Sequence, residues 1–428
     1  MRPAHATTFL WEAAPVLYGL GATAEIGIEL SRRGIRRAVI VSDANIRATG
    51  LVDEVVGWAS ESGVETIVWA ESQLEPTDTS IAAAVDDLAG ERIDGYVALG
   101  GGSCIDTCKA VSVGLADSAP LSTYVAQPHG EGRPVPRDRP PIIGMPTTSG
   151  SGAESTGAAS IDFTKLGLKA SIVDRALTPA LAIVDPYNMV SAPPAVTASA
   201  GYDVLVQSLE SYTSRAFDQV PPRPAHKAPP MVGANPISDV WGERAIALCG
   251  QHLIRAVHDG SDLEARIGMT QAAMFSRLGT AGAHLPHANA AAVSGLAPDT
   301  YVPAGFTGVD RSVIPHGQAV VSTAAEAFAF TYAGAPARHE RAARLLGMTG
   351  DEAAHAGQDA LSRWIRQMIK MTGGPNSLDE FGFGPSDIGP LVEMAIAQRR
   401  LLPRCPRPVT RDDLTGVFSR SMHALTHD

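Results

Sequence analysis

The sequence predicts an α/β N-terminal domain with a parallel, Rossmann-like sheet, followed by an all-α C-terminal domain. Short apolar runs alternate with helical patterns in the first half, as in βαβ units. After Asp185-Pro186 and Pro193-Pro194, long helical patterns replace the strand signals. A chain of 428 residues is also too long for one typical core. We therefore predict an α/β domain over residues 1–192 and a helical domain over residues 193–428.

Each predicted element rests on a local pattern. The apolar runs 38–42, 64–70, 96–99 and 142–145 predict strands, with helices at 22–33 and 80–89. The helical patterns of the second half cover residues 196–213, 235–258, 262–278, 318–332, 337–346, 351–371 and 388–398. The proline-rich stretch from Phe217 to Gly233 has no periodicity and predicts a surface loop. In a parallel sheet, ligand-binding loops lie at the carboxyl ends of the strands.

A glycine-rich loop follows the apolar run 96–99. Gly100, Gly101 and Gly102 allow backbone N–H groups to approach an anion with no Cβ in the way. Ser103 and Asp106 have capping-box spacing, which predicts a helix N-terminus suited to a pyrophosphate. The alternative is a tight strand-to-helix turn that binds nothing.

Two further strand ends carry polar groups. Thr147, Thr148 and Ser151 follow the run 142–145 and could line a ribose and a nicotinamide. Asp43 ends the run 38–42, where a carboxylate accepts hydrogen bonds from ribose hydroxyls and repels a 2′-phosphate. This position favours NAD over NADP. The alternative for Asp43 is a helix N-cap.

Composition excludes several classes of partner. The net charge of −11 argues against nucleic acid and anionic membrane surfaces, and no apolar run approaches the length of a membrane span. The four cysteines contain no C-x-x-C pair and form no disulfide framework, which favours a reducing compartment. The first eight residues have no signal-peptide pattern. We therefore expect a cytoplasmic protein that acts on a small molecule.

The two loops together resemble those of the iron-containing (group III) alcohol dehydrogenase family. Residues 100–109 match its GGGS-x-x-D-x-x-K loop, and residues 146–154 match its PTT-x-G-x-x-x-E loop. The resemblance extends from Tyr18 to about His423. Within the family, the chain is most similar to the hydroxyacid-oxoacid transhydrogenase branch, on the segments EPTD at 75–78, DTCKA at 106–110, DVL at 203–205, LESYT at 209–213 and NPISD at 235–239.

The resemblance implies a dehydroquinate synthase-like architecture, a homodimer and hydride transfer to or from a nicotinamide cofactor. It also implies that Lys169, in the pattern K-x-x-I-x-x-R-A, contacts an anion of the cofactor or substrate. The alternative for Lys169 is a solvated surface position.

The family's metal site is only partly retained. The resemblance implies Fe²⁺ or Zn²⁺ ligands at Asp203, at the residue four positions later on the same helical face, at His287 and at His316. The second position holds Gln207 instead of histidine. A carboxamide offers only a neutral oxygen, so we expect weakened metal binding. The alternative for each histidine is a hydrogen-bonded position in the core or a cleft.

The residues near the expected substrate also depart from the family. Ala291 stands where many members have a second histidine used in proton relay. A relay would then use ribose hydroxyls, water or His284, which is also a candidate substitute ligand. The predicted catalytic set is Asp203, Gln207, His284, His287 and His316.

The sequence alone is compatible with three functions. The first is a metal-assisted, NAD-dependent oxidoreductase acting on an alcohol and aldehyde or on a hydroxyacid and oxoacid. The second is a metal-independent reductase in which Gln207, His287 and His316 hydrogen-bond the carbonyl oxygen. The third is a non-redox protein that keeps a dinucleotide for structure or sensing.

Overall fold

The computed structural model describes residues 9, 11–127, 129–164, 167–219, 232–309 and 311–423. Most of the loop predicted from Phe217 to Gly233 lies outside these residues. Contacts within the described chain define two compact units. One is an α/β unit formed by residues 13–193 with a return of the chain at 305–309. The other is a helical unit formed by residues 194–304 and 311–423, together with residues 9, 11 and 12.

The α/β unit is built on a parallel six-stranded sheet in the order β1-β8-β5-β4-β2-β3. A separate antiparallel pair, β6 and β7, places Ser160 opposite Ser171. The strands are β1 Val16–Tyr18, β2 Arg37–Val41, β3 Glu65–Trp69, β4 Gly95–Gly100, β5 Ile142–Pro146, β6 Ala158–Phe163, β7 Leu168–Val173 and β8 Leu181–Val184. The helices of this unit are α1 Ile26–Arg32, α2 Ala44–Ala48, α3 Leu51–Glu61, α4 Asp78–Leu88 and α5 Gly102–Ala116.

The centre of the sheet explains where a ligand can bind. β4 is buried at every residue, as expected for a strand covered on both faces. β3 and β4 lie on opposite sides of β2, so the strand order reverses there. In open α/β sheets, ligands bind at the carboxyl ends of the strands beside such a reversal. The loops after β2 and β4 occupy that place.

The helical unit packs around α6, which is buried over most of its length. Its core includes the fully buried side chains of Tyr202, Leu205, Leu209 and Phe328. Its helices are α6 Pro194–Thr213, α7 Pro236–His258, α8 Leu263–Leu278, α9 Leu285–Gly295, α10 His316–Ser322, α11 Ala324–Thr331, α12 Pro336–Leu345, α13 Gly350–Ala356, α14 Ala360–Thr372, α15 Ile388–Ile396 and α16 Arg411–Ser421. None of the described helices is both long and apolar enough to cross a bilayer.

The structure confirms the fold class and corrects several elements. The helix predicted over 318–332 is interrupted at Thr323, and the one predicted over 351–371 is interrupted at Gly357, whose φ of +50° a regular helix does not allow. The β6–β7 pair and α9 have no counterpart among the predicted elements. α9 is rich in alanine and buried on several sides, so it lacks the polar face that reveals an amphipathic helix.

Candidate active site

Three loops meet at the carboxyl edge of the sheet. β4 lies between β2 and β5, so Asp43, the glycine loop and Thr147 follow three neighbouring strands. A Cβ atom added to Gly100 would lie 3.6 Å from Asp43 Oδ2, and one added to Gly101 would lie 3.5 Å from Thr148 Cγ2. The Thr147 N–H donates to Gly100 O at 3.0 Å.

Ser151 completes this edge of the sheet. A Cβ atom added to Gly102 would lie only 2.5 Å from Ser151 Oγ. The structure therefore brings together the predicted loop residues Asp43, Gly100, Gly101, Gly102, Thr147, Thr148 and Ser151.

The start of α5 differs from the predicted capping box. Gly101 is the N-cap residue and provides no side-chain hydrogen bond. Ser103 Oγ accepts a hydrogen bond from the Glu75 N–H at 3.2 Å, and Asp106 Oδ2 accepts one from the Ser160 N–H at 3.0 Å. Both side chains thus hold neighbouring segments instead of capping the helix. The N-terminus of this 15-residue helix is left without a side-chain cap, which suits an anion.

Both carboxylate oxygens of Asp43 accept hydrogen bonds from other groups of the protein. Oδ1 caps α2 by accepting from the N–H groups of Asn45 and Ile46 at 2.8 and 2.9 Å. Oδ2 accepts from the Cys104 thiol at 3.0 Å. The N-cap interpretation is therefore correct for Oδ1. Because a carboxylate oxygen accepts more than one hydrogen bond, the contact with ribose stays a prediction.

Lys169 forms an ion pair with Glu75. The side chains are 13% and 10% exposed, so the alternative of a solvated surface lysine is wrong. Burial opposes the charge of Lys169, but Glu75 more than compensates and raises the pKa of the ammonium group. Glu75 has a φ of +52° and is the one non-glycine residue with positive φ within the described chain. A contact of Lys169 with a cofactor or substrate anion stays a prediction.

Lys109, the lysine of the GGGS-x-x-D-x-x-K loop, has a structural role. Its side chain is fully buried, and Nζ donates to the carbonyl oxygens of Ala153, Thr156 and Ala158 at 2.7, 2.8 and 2.7 Å. These carbonyls belong to the segment that follows Ser151 and leads into β6. Lys109 therefore ties α5 to the second loop.

In the helical unit, three predicted ligands meet. Asp203 lies on α6, His287 on α9, and His316 at the first position of α10, and one donor atom from each lies within 4.8 Å of the others. Asp203 Oδ1 is 3.4 Å from His287 Nε2 and 3.8 Å from His316 Nε2. This oxygen is buried and accepts no hydrogen bond within the described chain.

A buried carboxylate oxygen without a hydrogen bond is costly. A divalent cation among one carboxylate oxygen and two imidazole nitrogens would remove that cost, and this donor set suits Zn²⁺ or Fe²⁺. The residues present therefore fit a metal ion.

The charged groups of this cluster shift one another's pKa values. Burial alone would raise the pKa of Asp203, but the neighbouring His287 and His316 rings lower it to about 2, because their positive charges favour the carboxylate. Burial opposes the charge of His287, yet Glu210 and Asp203 raise its pKa to about 10. A proton and a metal ion compete for Nε2 of His287, so metal binding must release that proton.

Gln207 lies one turn after Asp203 on α6 and is buried. Its Nε2 donates to Thr280 Oγ1 at 2.8 Å. Thr280 Oγ1 in turn donates to Ser276 O at 3.0 Å, so the hydroxyl acts as acceptor toward Gln207. One of the two amide hydrogens is thereby donated to Thr280, and an amide nitrogen is in any case no metal donor. Only Oε1 is available as a ligand atom.

Glu210 belongs to this site but was absent from the predicted catalytic and ligand residues. It is fully buried, and its carboxylate contacts the backbone N–H groups of His284 and His287 as well as His287 Nδ1. The signal that could have found it is the spacing of Asp203 and Glu210, because residues seven apart share a helical face.

His284 lies outside the metal cluster. Its Nδ1 accepts from the Leu285 N–H at 2.7 Å and caps α9, while Nε2 lies 3.3 Å from Thr213 Oγ1. Thr213 Oγ1 donates to Leu209 O, so it accepts from His284 Nε2. Burial lowers the pKa of the ring to about 4. Both nitrogens serve the fold, and nothing in this placement supports the expected relay or substitute-ligand role.

Comparison with known proteins identifies the family. Residues 13–186 match the model of iron-containing alcohol dehydrogenase, and residues 228–422 match that of the C-terminal part of the same family. The chain is 36% identical to the mitochondrial hydroxyacid-oxoacid transhydrogenase of Bos taurus, covering 97% of this chain and 91% of the relative. It is 35% identical to the corresponding protein of Homo sapiens, covering 95% and 88%.

Solved structures show the same fold. A 1,3-propanediol oxidoreductase superposes with a TM-score of 0.83 at 24% identity, covering 97% of this chain and 100% of that one. The sulfoacetaldehyde reductase of Bifidobacterium kashiwanohense, solved in complex with NAD⁺, superposes with a TM-score of 0.79 at 25% identity, covering 98% and 100%.

This chain belongs to the iron-containing alcohol dehydrogenase family and is an oxidoreductase. The expectation of a cytoplasmic location is wrong by this comparison, because the curated relatives are named as mitochondrial proteins. Composition and cysteine usage could not separate two compartments that both keep thiols reduced.

Proposed function

We propose that this enzyme transfers hydride between NAD(H) and a hydroxyacid or its oxoacid, with a divalent metal ion held by Asp203, Gln207, His287 and His316. The observation that carries the metal site is the buried Asp203 Oδ1, which has two histidine Nε2 atoms as neighbours and no hydrogen bond within the described chain. The hydroxyacid and oxoacid substrates are proposed from the names of relatives at 35–36% identity.

The chain's own groups have separate tasks in this proposal. The uncapped N-terminus of α5 and the glycine loop bind the cofactor pyrophosphate, and Asp43 faces its ribose. When bound, the metal polarises the substrate oxygen as a Lewis acid. Asp203 supplies negative charge to the metal site, and His287 and His316 supply imidazole nitrogens.

Gln207 makes the affinity of this site for a metal ion lower than it would be with a third imidazole ligand. Its neutral oxygen is a poorer donor to Fe²⁺ or Zn²⁺, so we expect loose binding of either. Restoring a nitrogen ligand with Gln207→His should raise the metal content of the purified protein.

A metal-independent reductase is the second candidate, and Gln207 is the observation that favours it. Thr280 Oγ1 accepts one of the two amide hydrogens of Gln207, so the second can be donated to a carbonyl oxygen. His287, charged between two carboxylates, and His316 would supply further hydrogen bonds to that oxygen.

One experiment separates these candidates. Metal content is measured on the purified protein and on Gln207→His, and NADH consumption is followed with oxoacids and aldehydes before and after treatment with a chelator. Loss of activity on chelation and recovery with Fe²⁺ or Zn²⁺ would support the metal enzyme. Full activity in metal-free protein would support the second candidate, and no NADH consumption with any substrate would contradict both.

The proposal also includes a homodimer, as the family resemblance implies. Sedimentation velocity on the full chain tests this.

A further inference from the structure

Glu210 lies on α6 two turns after Asp203, and its side chain is fully buried. Its Oε1 accepts from the N–H groups of His284 and His287 at 2.8 and 3.1 Å. Its Oε2 contacts His287 Nδ1. The carboxylate therefore binds the N-terminus of α9 and one ring nitrogen of a predicted metal ligand at the same time.

The hydrogen-bonding capacity of these groups determines the protonation of the ring. Two backbone N–H groups point at Oε1, so this atom must be an acceptor. An ionised carboxylate is acceptor-only, so Nδ1 of His287 must carry a hydrogen and donate to Oε2. A neutral His287 then has its lone pair on Nε2, the atom 3.4 Å from Asp203 Oδ1.

We propose that Glu210 is a positioning residue that fixes the tautomer and orientation of His287, so that the Nε2 lone pair faces the metal site. This inference rests on the metal site proposed above. Glu210 does not itself contact the metal or the substrate in this proposal. Its effect passes through His287.

The isosteric variant Glu210→Gln should invert this arrangement. The amide oxygen has to stay at the Oε1 position, because the two backbone N–H groups still need an acceptor. The amide NH₂ then takes the Oε2 position and donates to Nδ1. His287 must place its hydrogen on Nε2, where it points at Asp203 Oδ1 instead of a metal ion.

The test is a Co²⁺ titration of metal-free full-length protein, followed by calorimetry and by the visible absorption of bound Co²⁺. Gln207→His serves as parent, because stronger binding makes a loss measurable. Adding Glu210→Gln should weaken Co²⁺ binding by roughly 10- to 100-fold or more, and Glu210→Asp, which keeps an acceptor-only group, should recover part of it.

Glu326→Gln is the matched control. Glu326 is a buried glutamate of the same unit, and its carboxylate pairs with Arg366 and Arg420 instead of with a histidine. This variant should lower the unfolding temperature while leaving Co²⁺ affinity unchanged.

The ¹⁵N spectrum of His287 in the metal-free proteins separates this inference from the metal site. In the neutral ring, reached at high pH, Nδ1 should carry the proton in the parent, and Nε2 should carry it in the Glu210→Gln variant. If the parent binds no Co²⁺ but this difference is seen, the metal site is wrong and the positioning role stands. If the variant binds Co²⁺ as tightly as its parent, or keeps a proton on Nδ1, the positioning role is overturned.

Discussion

In the α/β unit, the candidate ligand-binding groups are loop backbone and hydroxyl groups at the ends of three neighbouring strands. In the helical unit, they are side chains from three separate helices, at positions 203, 287 and 316. The loop groups are close to each other because adjacent parallel strands end at one edge. The candidate metal-binding groups are close only because α6, α9 and α10 pack together.

This difference decides how each region responds to change. A loop of backbone amides is sensitive to added atoms, because a Cβ occupies the space of the ligand. A cluster of side chains is sensitive to truncation, because removing one side chain removes one candidate metal ligand. Added atoms at the loops and lost atoms in the side-chain cluster should therefore have different effects.

Replacing Lys109 by methionine should destabilise the protein strongly. The substitution removes the donor to three carbonyl oxygens and leaves them unsatisfied, at a cost of about 3–5 kcal/mol. Urea unfolding measures the change, and Lys370→Met, at an exposed position, is the control. A loss below about 1 kcal/mol would show that water replaces the ammonium group.

Replacing His316 by alanine should lower kcat/KM by roughly 100- to 1,000-fold, the range found when one stabilising group is removed from a reacting site. NADH affinity should stay within about twofold if the cofactor depends on the α/β loops. Exposed His355→Ala is the control. Unchanged turnover in His316→Ala would remove this residue from the site.

The helical unit should lose stability in acid through His339. Burial lowers the pKa of this histidine to about 4 from an ordinary value of 6.5. Its contribution is therefore complete above pH 6.5 and is lost as the pH falls toward 4, by on the order of 3 kcal/mol. His339→Leu, which does not titrate, should flatten this part of the stability profile. An equally steep profile in the variant would assign the loss to other groups.

Gly101→Ala should weaken NADH binding by roughly 10- to 100-fold, because crowding one methyl group against a bound ligand costs about 1–3 kcal/mol. The added Cβ meets Thr148 at 3.5 Å, an ordinary contact, and the φ of −67° suits alanine. Gly102→Ala would be a poorer test, since its Cβ collides with Ser151 Oγ. Unchanged NADH affinity in a folded Gly101→Ala protein would contradict the cofactor site.

Asp43→Ser should narrow the preference for NADH over NADPH by about tenfold, through loss of charge repulsion toward the 2′-phosphate. Serine still caps α2, so folding should be preserved. Kinetics with both cofactors measure the ratio. A parent enzyme that prefers NADPH would overturn the assignment.

Sequence patterns predicted the two-part fold and the glycine loop because both depend on local rules. The period of the apolar residues separates strands from helices, and consecutive glycines at a strand end indicate close approach of the backbone. The same rules failed where packing overrides them. Ser103 and Asp106 have capping-box spacing, yet they bind Glu75 and Ser160, which are distant in the sequence.

By itself, the sequence indicated many of the strands and helices, the polar loops at the strand ends and, through family resemblance, the candidate metal ligands. Only the tertiary structure decided that Asp203, His287 and His316 meet, that Glu210 holds His287, and that Lys109 and His284 serve the fold. The physical reason is that local periodicity depends on neighbouring residues, whereas hydrogen-bond partners depend on which distant segments pack together. A buried polar side chain finds its role only when its partners are in place.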